Sequence, residues 1–266
     1  TLPKWRLAAC CYVRWGSMQI WWVQDPCGRN YVFIAQALLA GSGLFGVAIW
    51  QCLSVQSWLI VHEASYFLAA WAHLACALSD PGAVPRGAAE VLAPPEDEIS
   101  SAVRWCKHCQ LAKPPRAHHC STCQRCIRKM DHHCMWMNNC IGANNQKHFL
   151  LFLTYTSLHC LGVAPMSLWC LFALHPPPGE ENPLYAAVSL GSILSLLLAG
   201  CLGRYCMQLL NEQYHSLKKN QTFIEQLQGT VGEARAFRAT LQEVMGCAPS
   251  WRWLVPLAVP RCESAA

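Results

Sequence analysis

Residues 106–140 read CKHCQLAKPPRAHHCSTCQRCIRKMDHHCMWMNNC, and they hold seven of the 18 cysteines of this 266-residue chain. Paired C-x-x-C spacings allow two thiolates to meet one zinc ion from a tight turn. At four ligands per ion, two ions need eight, and the stretch supplies these eight: Cys106, Cys109, His119, Cys120, Cys123, Cys126, His133 and Cys140. Closed four-ligand sites leave no position for substrate, so we expect two structural Zn²⁺ ions.

Cys134 is left over from this ligand count, and its neighbours are unusual. It follows Asp131, His132 and His133 directly. A cysteine nucleophile reacts as the thiolate, which is scarce at neutral pH unless a base or a positive charge lies nearby. The pattern therefore predicts that Cys134 is a nucleophile, His132 its base and Asp131 the group that orients the imidazole. The alternative is a redundant ninth metal ligand or a buried thiol.

Outside this stretch the composition is typical of a membrane protein. Hydrophobic residues make up 53% of the chain and charged residues 13%, against roughly 25% charged in an average soluble domain. Long apolar runs predict four membrane-spanning helices, at residues 31–50, 58–78, 149–174 and 184–203.

The Lys and Arg residues give the orientation of these spans. Four precede residue 31, nine lie within 79–148 and seven follow residue 203, which accounts for all 20. By the positive-inside rule, both termini and the middle segment are cytoplasmic. The sequon at Asn220 is then expected to stay unglycosylated. Buried helices of a soluble protein do not explain so complete a segregation, and the modest net charge of +5 shows no nucleic-acid footprint.

We therefore predict an all-α membrane protein with four transmembrane helices and a cytoplasmic two-zinc, cysteine-rich domain between the second and third. The expected segments are a cytoplasmic N-terminal segment (1–30), helices 1 and 2 (31–78), the zinc domain (79–148), helices 3 and 4 (149–203) and a cytoplasmic C-terminal segment with an amphipathic helix (204–266).

The run C-x2-C-x9-H-C-x2-C-x2-C-x4-D-H-H-C-x5-C resembles, at every ligand position, the cysteine-rich domain of the DHHC protein S-acyltransferases, or palmitoyltransferases. The resemblance extends to Asp80-Pro81-Gly82 after the second span and to Asn138-Asn139-Cys140. The chain is most similar to the short-tailed animal members of the Golgi. This implies a multi-pass endomembrane protein of the Golgi or endoplasmic reticulum, with the plasma membrane as the alternative.

The resemblance also implies how the zinc ligands divide and what the enzyme does. Cys134 would take an acyl group from palmitoyl-CoA and pass it to membrane-proximal cysteines of substrate proteins, with His132 as general base and Asp131 as its orienter. One zinc ion would be bound by Cys106, Cys109, His119 and Cys126, and the other by Cys120, Cys123, His133 and Cys140.

Further positions carried over by resemblance concern the acyl donor. Lys113 and Arg116 would meet the phosphates of the coenzyme, with a solvated basic patch near lipid headgroups as the alternative. Trp136, Phe149 and Phe152 would line the acyl cavity, although such aromatics also serve as interfacial anchors. His159 would close the cavity and limit the chain to palmitoyl length.

Two departures from the family pattern weaken the prediction of full activity. Met135 replaces the usual proline after the nucleophile, which predicts a looser active loop. The TTxE motif reads Thr222-Phe223-Ile224-Glu225, so its second threonine, which in the family meets the surroundings of the active-site aspartate, is missing. Its absence argues against the usual contact between tail and site. These departures support the alternative of a weakly active or inactive relative that serves as a partner-binding module.

Overall fold

The structure is a computed structural model that describes residues 10–15, 18–53, 56–85, 104–173, 183–230 and 232–258. They form two compact units. The first comprises Thr1–Phe33, His73–Phe149 and Tyr214–Ala266, and the second comprises Ile34–Ala72 and Leu150–Gln213. The first unit contains the cysteine-rich segment. The second contains the larger parts of four long helices.

The long helices contain the four predicted spans, as far as these are described. They are α1 (Pro26–Leu53), α2 (Gln56–Leu78), α3 (Gln146–Ala173) and α4 (Pro183–Lys219). Among the described residues, two stretches are long and apolar enough to cross a membrane, namely Gln146–Phe172 and Tyr185–Lys219. The last helix runs well beyond the predicted end at residue 203, because the polar segment that follows is rich in good helix formers.

The chain is mostly helical, as predicted, but it is not purely α-helical. Within the described residues, eight short strands form four antiparallel hairpins. One lies in the N-terminal segment, which was expected only to be cytoplasmic, and three form the cysteine-rich domain. The pairs are β1 (Cys10–Trp15) with β2 (Met18–Val23), β3 (Trp105–Cys106) with β4 (Leu111–Ala112), β5 (His118–Cys120) with β6 (Arg125–Ile127), and β7 (His132–Cys134) with β8 (Asn139–Ile141).

The N-terminal hairpin contributes to the core of the cysteine-rich domain. Trp21 and Val23 are fully buried against Ile127 and Met130 in one hydrophobic cluster. The guanidinium of Arg125 lies 5.9 Å from the Trp21 ring centroid, a cation–π geometry that adds to the packing. Trp and Val favour strands because their side chains fit a pleated, half-buried surface.

The turn after α2 fixes this helix to the cysteine-rich domain. The Asp80 carboxylate accepts hydrogen bonds from the backbone N–H groups of Gly82 (2.8 Å) and Ala83 (2.7 Å). Gly82 has a φ of +103°, a conformation that side chains disfavour. The Asn139 side chain on β8 donates to the carbonyl oxygens of Cys76 (3.0 Å) and Ser79 (2.8 Å). It thereby satisfies carbonyl groups that the end of α2 leaves without helical partners.

The C-terminal tail packs on the same unit through α5 (Phe223–Leu227), α6 (Phe237–Met245) and a 3-10 helix, Trp251–Leu254. Lys129 reaches Glu243 at 2.7 Å. The buried Lys147 ammonium donates to the carbonyl oxygens of Arg252 (2.7 Å) and Leu257 (3.1 Å). Because an unpaired buried charge is costly, these carbonyls must stay close to Lys147, and they hold the end of the tail against the start of α3.

Candidate active site

Two Cys/His clusters lie in the cysteine-rich domain, with the ligand atoms of each cluster within 4.8 Å of one another. They are Cys106, Cys109, His119 and Cys126 in one cluster, and Cys120, Cys123, His133 and Cys140 in the other. The hairpins create them, because His119 pairs across the ladder with Cys126 and His133 with Cys140. Neighbouring strands bring cross-strand side chains together on one face.

In each cluster the donor atoms converge on one point, as a metal site requires. Nδ1 of His119 lies 3.2 Å from Sγ of Cys109, and Sγ of Cys123 lies 3.5 Å from Sγ of Cys140. Sulfur ligands at 2.3 Å around a tetrahedral ion stand roughly 3.7 Å apart. Each cluster could therefore hold one metal ion, and the division of the eight residues is the one that the sequence resemblance implied.

Strand β7 separates metal binding from the predicted chemistry. Successive side chains of a strand point to opposite faces, so His133 faces its cluster while His132 and Cys134 share the other face. His132 interacts electrostatically with Cys134. Its Nδ1 lies 2.9 Å from Oδ2 of Asp131. Since a carboxylate only accepts, Nδ1 donates to it, and Nε2 is the nitrogen left for the thiol.

The electrostatics of these three residues favour a charged imidazole. Burial opposes that charge, but the interactions with Asp131 and Cys134 outweigh it and raise the pKa of His132 to about 10. Asp131 is itself buried, with 2% of its surface exposed. A buried carboxylate beside a histidine stabilises the imidazolium, and an imidazolium stabilises a neighbouring thiolate. The arrangement can thus generate a cysteine nucleophile.

The tail contacts this site in spite of the missing threonine. The backbone N–H of Phe223 donates to Oδ1 of Asp131 at 2.7 Å, a bond that is independent of the side chain at this position. At the start of α5, the Thr222 hydroxyl accepts from the Glu225 backbone N–H, and the Glu225 carboxylate accepts from the Thr222 backbone N–H. The two bonds form a capping box. The motif therefore holds its shape through Thr222 and Glu225 and contacts Asp131 through its backbone.

Arg116 fastens this tail segment to the cysteine-rich domain. Its Nε and Nη2 bind the two carboxylate oxygens of Glu225 at 2.7 and 2.8 Å. Its Nη1 donates to Oδ1 of Asn220 at 3.0 Å, and its Nη2 donates to the backbone oxygen of Asn220, also at 3.0 Å. Burial works against the carboxylate, but hydrogen bonds from Arg116 and Thr222 hold the pKa of Glu225 below its ordinary 4.5.

The donor-binding positions taken from the resemblance are distributed over both units. The ring centroid of Phe149 lies 5.4 Å from that of His132, edge to face. Lys113 is half-buried just after β4, and Trp136 follows Cys134 in a 3-10 helix, Met135–Met137. Phe152 and His159 belong to the second unit. There His159 lies 2.8 Å from Ser42 and lines a cavity of about 200 Å³.

Two residues that contact the segment after Cys134 have no functional role predicted from the sequence. They are Tyr31 and His73, which the apolar pattern places in the first two predicted spans. The Tyr31 ring meets the Trp136 ring edge-on at 5.1 Å, and Nε2 of His73 lies 3.0 Å from the Trp136 carbonyl oxygen. A histidine in a predicted span is a signal that could have been followed, because intramembrane polar residues usually have a partner or a function.

Comparison with known proteins gives consistent matches. Residues 99–230 match the model of the family described as DHHC palmitoyltransferase. The chain is 32% identical to rat palmitoyltransferase ZDHHC7 over 252 residues, which cover 90% of this chain and 81% of the relative. It is 34% identical to human palmitoyltransferase ZDHHC3 over 260 residues, covering 91% and 84%. A probable protein S-acyltransferase 13 of Arabidopsis thaliana is 42% identical over 143 residues, covering 48% and 46%.

Proposed function

The chain belongs to the DHHC palmitoyltransferase family and is a protein S-palmitoyltransferase, and from this premise we propose that its acyl-enzyme forms on Cys134. The observation that carries the proposal is the Asp131–His132–Cys134 arrangement, in which a buried carboxylate orients an imidazole that shares one face of β7 with the thiol. The runner-up, an inactive partner-binding module, is not favoured because the matched relatives are named palmitoyltransferases.

The reaction has two balanced steps. The Cys134 thiolate attacks the thioester carbon of palmitoyl-CoA, a new C–S bond forms, and the bond to the coenzyme sulfur breaks. The proton that Cys134 gave to His132 passes to the departing coenzyme thiolate. In the second step a substrate cysteine loses its proton to His132 and attacks the acyl-enzyme, which releases Cys134. Asp131 stabilises the imidazolium in both steps.

The two Cys/His clusters fit zinc. Thiolate and imidazole donors in tetrahedral sets of four suit this ion, and the full ligand count leaves no open position. Zinc in these sites is structural and supplies folding free energy to a domain with a small core. Because His133 and Cys134 are adjacent on β7, an ordered second site also keeps the nucleophile in place.

Four membrane spans, with both termini and the zinc domain on the cytoplasmic side, explain how the first unit is assembled. It combines the N-terminal hairpin, the zinc domain and the tail, which pack on one another through contacts such as Arg116 with Glu225. The two segments that join them, residues 31–78 and 149–203, must therefore leave the cytoplasmic side and return to it. The chain crosses the membrane twice in each, and a Golgi or endoplasmic-reticulum membrane follows from the resemblance.

The palmitoyl chain enters the membrane-embedded helices, and the coenzyme stays in water. In the second unit His159 lies beside Ser42 and lines a cavity among the helices, which supports this unit as the place of the acyl chain, and Phe152 belongs to the same unit. Lys113 binds a coenzyme phosphate. Arg116 shares its charge with Glu225, so a phosphate role for it requires sharing the guanidinium or releasing the tail.

The test is incubation of the purified full-length protein with radiolabelled palmitoyl-CoA. The expected result is a protein-bound label that hydroxylamine removes and that is absent in Cys134→Ser. Cys170→Ser is the matched control, because this buried cysteine lies on α3 and not on β7, and it should label like the wild type. Absence of label from the wild-type protein, at full zinc content, would contradict the proposal.

A further inference from the structure

The three residues after Cys134 form a short 3-10 helix that is held from outside. Its first residue, Met135, is 52% exposed, so its side chain does not anchor it. Three contacts from other segments do. The Tyr31 ring packs edge-on against Trp136 at 5.1 Å, and Nε2 of His73 lies 3.0 Å from the Trp136 carbonyl oxygen. The Asn138 side chain donates to the Val23 carbonyl oxygen at 2.8 Å.

His73 makes the contact that acts directly on the backbone of this turn. A carbonyl oxygen can only accept, so Nε2 of His73 carries the proton and donates it. The His73 side chain is completely buried. A polar group in such a place stays favourable only while it is hydrogen-bonded, so His73 holds the Trp136 carbonyl, two residues from the nucleophile, in one position.

The backbone at Cys134 and Met135 would also accept a proline at position 135. Cys134 has φ −99° and ψ 114°, within the extended region that a residue before proline favours. Met135 is the first residue of the 3-10 helix, a place where proline is well accepted since the first N–H groups of a helix lack helical partners. Methionine imposes no such restriction on its own φ or on Cys134, so the restraint must come from tertiary contacts.

We propose that His73 is a positioning residue, which fixes the turn after Cys134 through the Trp136 carbonyl and thereby keeps the thiol aligned with His132. It does for this chain what a proline at position 135 would do locally. The inference rests on the proposed acyl-enzyme at Cys134. It predicts that a proline at position 135 and the His73 donor are interchangeable restraints.

The experiment measures the rate of acyl-enzyme formation at saturating palmitoyl-CoA in four purified full-length proteins. These are the wild type, His73→Phe, His73→Gln and the double variant His73→Phe with Met135→Pro. Phenylalanine keeps a ring but removes the donor, so we expect the rate to fall about tenfold, in line with the cost of a small misplacement at a reacting group. Glutamine restores an N–H donor at similar reach, and its rate should stay within about twofold of the wild type.

The double variant is the decisive protein, because a residue that only supports the fold has no reason to be rescued at position 135. Met135→Pro should return the His73→Phe rate to within about threefold of the wild type. Leu74→Ala, a neighbour on α2 with an exposed side chain, is the control for any change in this helix and should behave as wild type. Zinc content, measured in parallel, reports folding of the domain.

The outcomes distinguish a failure of the proposed function from a failure of the positioning role of His73. No label on the wild type contradicts the proposed function and not the positioning role. A labelled wild type with an equally fast His73→Phe, or a slow His73→Phe that neither glutamine nor proline restores, overturns the inference. If His73→Phe loses zinc, the rate of acyl-enzyme formation is compared instead between Tyr31→Leu and the double variant Tyr31→Leu with Met135→Pro. Tyr31 contacts the ring of Trp136, so its loss removes a different restraint on the same turn. Rescue there supports the restraint, and a loss of rate without rescue refutes it.

Discussion

Removing either partner of the ion pair between Arg116 and Glu225 should release the tail from the active site. The pair makes two charge-assisted hydrogen bonds of 2.7 and 2.8 Å, and Arg116 makes two further bonds to Asn220. Loss of one partner of a fully buried pair costs about 3–5 kcal/mol. Because the Arg116 side chain is 28% exposed, we expect a smaller cost, about 2–3 kcal/mol.

This cost can be read directly at the Phe223 amide, which donates to Asp131 at 2.7 Å. A destabilisation of about 2–3 kcal/mol changes the ratio of docked to released tail by about 30- to 150-fold. Hydrogen–deuterium exchange at Phe223 should accelerate by this factor in both Arg116→Gln and Glu225→Gln, and acyl-enzyme formation should slow in both. Arg235→Gln removes two exposed ion pairs, to Glu233 and Glu243, and should leave the exchange rate unchanged.

The comparison of the two variants separates tail docking from phosphate binding. If Arg116 acts through Glu225, the Phe223 amide in the double variant Arg116→Gln with Glu225→Gln exchanges no faster than in the faster-exchanging single variant. If Arg116→Gln raises the KM for palmitoyl-CoA with no change in Phe223 exchange, while Glu225→Gln does neither, the assignment of Arg116 to the tail is refuted. In that case Arg116 meets the coenzyme instead.

Three more predictions follow from the same contacts. Elemental analysis should find two zinc ions per chain in the wild type, and Cys140→Ser should lower that content and abolish acyl-enzyme formation; full zinc content in this variant would contradict the ligand assignment. Asp131→Asn should slow acyl-enzyme formation by about 10²- to 10⁴-fold with zinc retained, and a near-normal rate would exclude Asp131 as the orienting group. Because the folded pKa of Glu225 lies below 4.5, its contribution to tail docking is fully present above that pH and is lost as the pH falls through the folded pKa; Phe223 exchange in Glu225→Gln should lack this acid-dependent increase.

The residues of the cysteine-rich segment could be assigned from the sequence because their chemistry is local. The C-x-x-C spacings predict metal binding, whereas strand β7, which places His133 on one face and Cys134 on the other, was not predicted. The long helices could likewise be predicted from apolar length alone. These signals depend on neighbouring residues, which the sequence displays directly.

Contacts between distant segments were the part that the sequence could not supply. Phe223 contacts Asp131 through its backbone, so the missing threonine side chain was a misleading sign. The N-terminal hairpin was missed because the burial of Trp21 depends on the distant Ile127 and Met130. The position of His73 beside Trp136 follows from tertiary packing, for which one sequence carries no measure.

The most direct test of the account is to locate the acyl group itself. The full-length protein is allowed to react once with palmitoyl-CoA in the absence of a substrate protein, then digested at mildly acidic pH, and its peptides are examined by mass spectrometry. The account predicts a palmitoyl thioester on Cys134, abolished by Asp131→Asn at early times and sensitive to hydroxylamine. A thioester that forms at full rate on another cysteine while Cys134 remains free would contradict it.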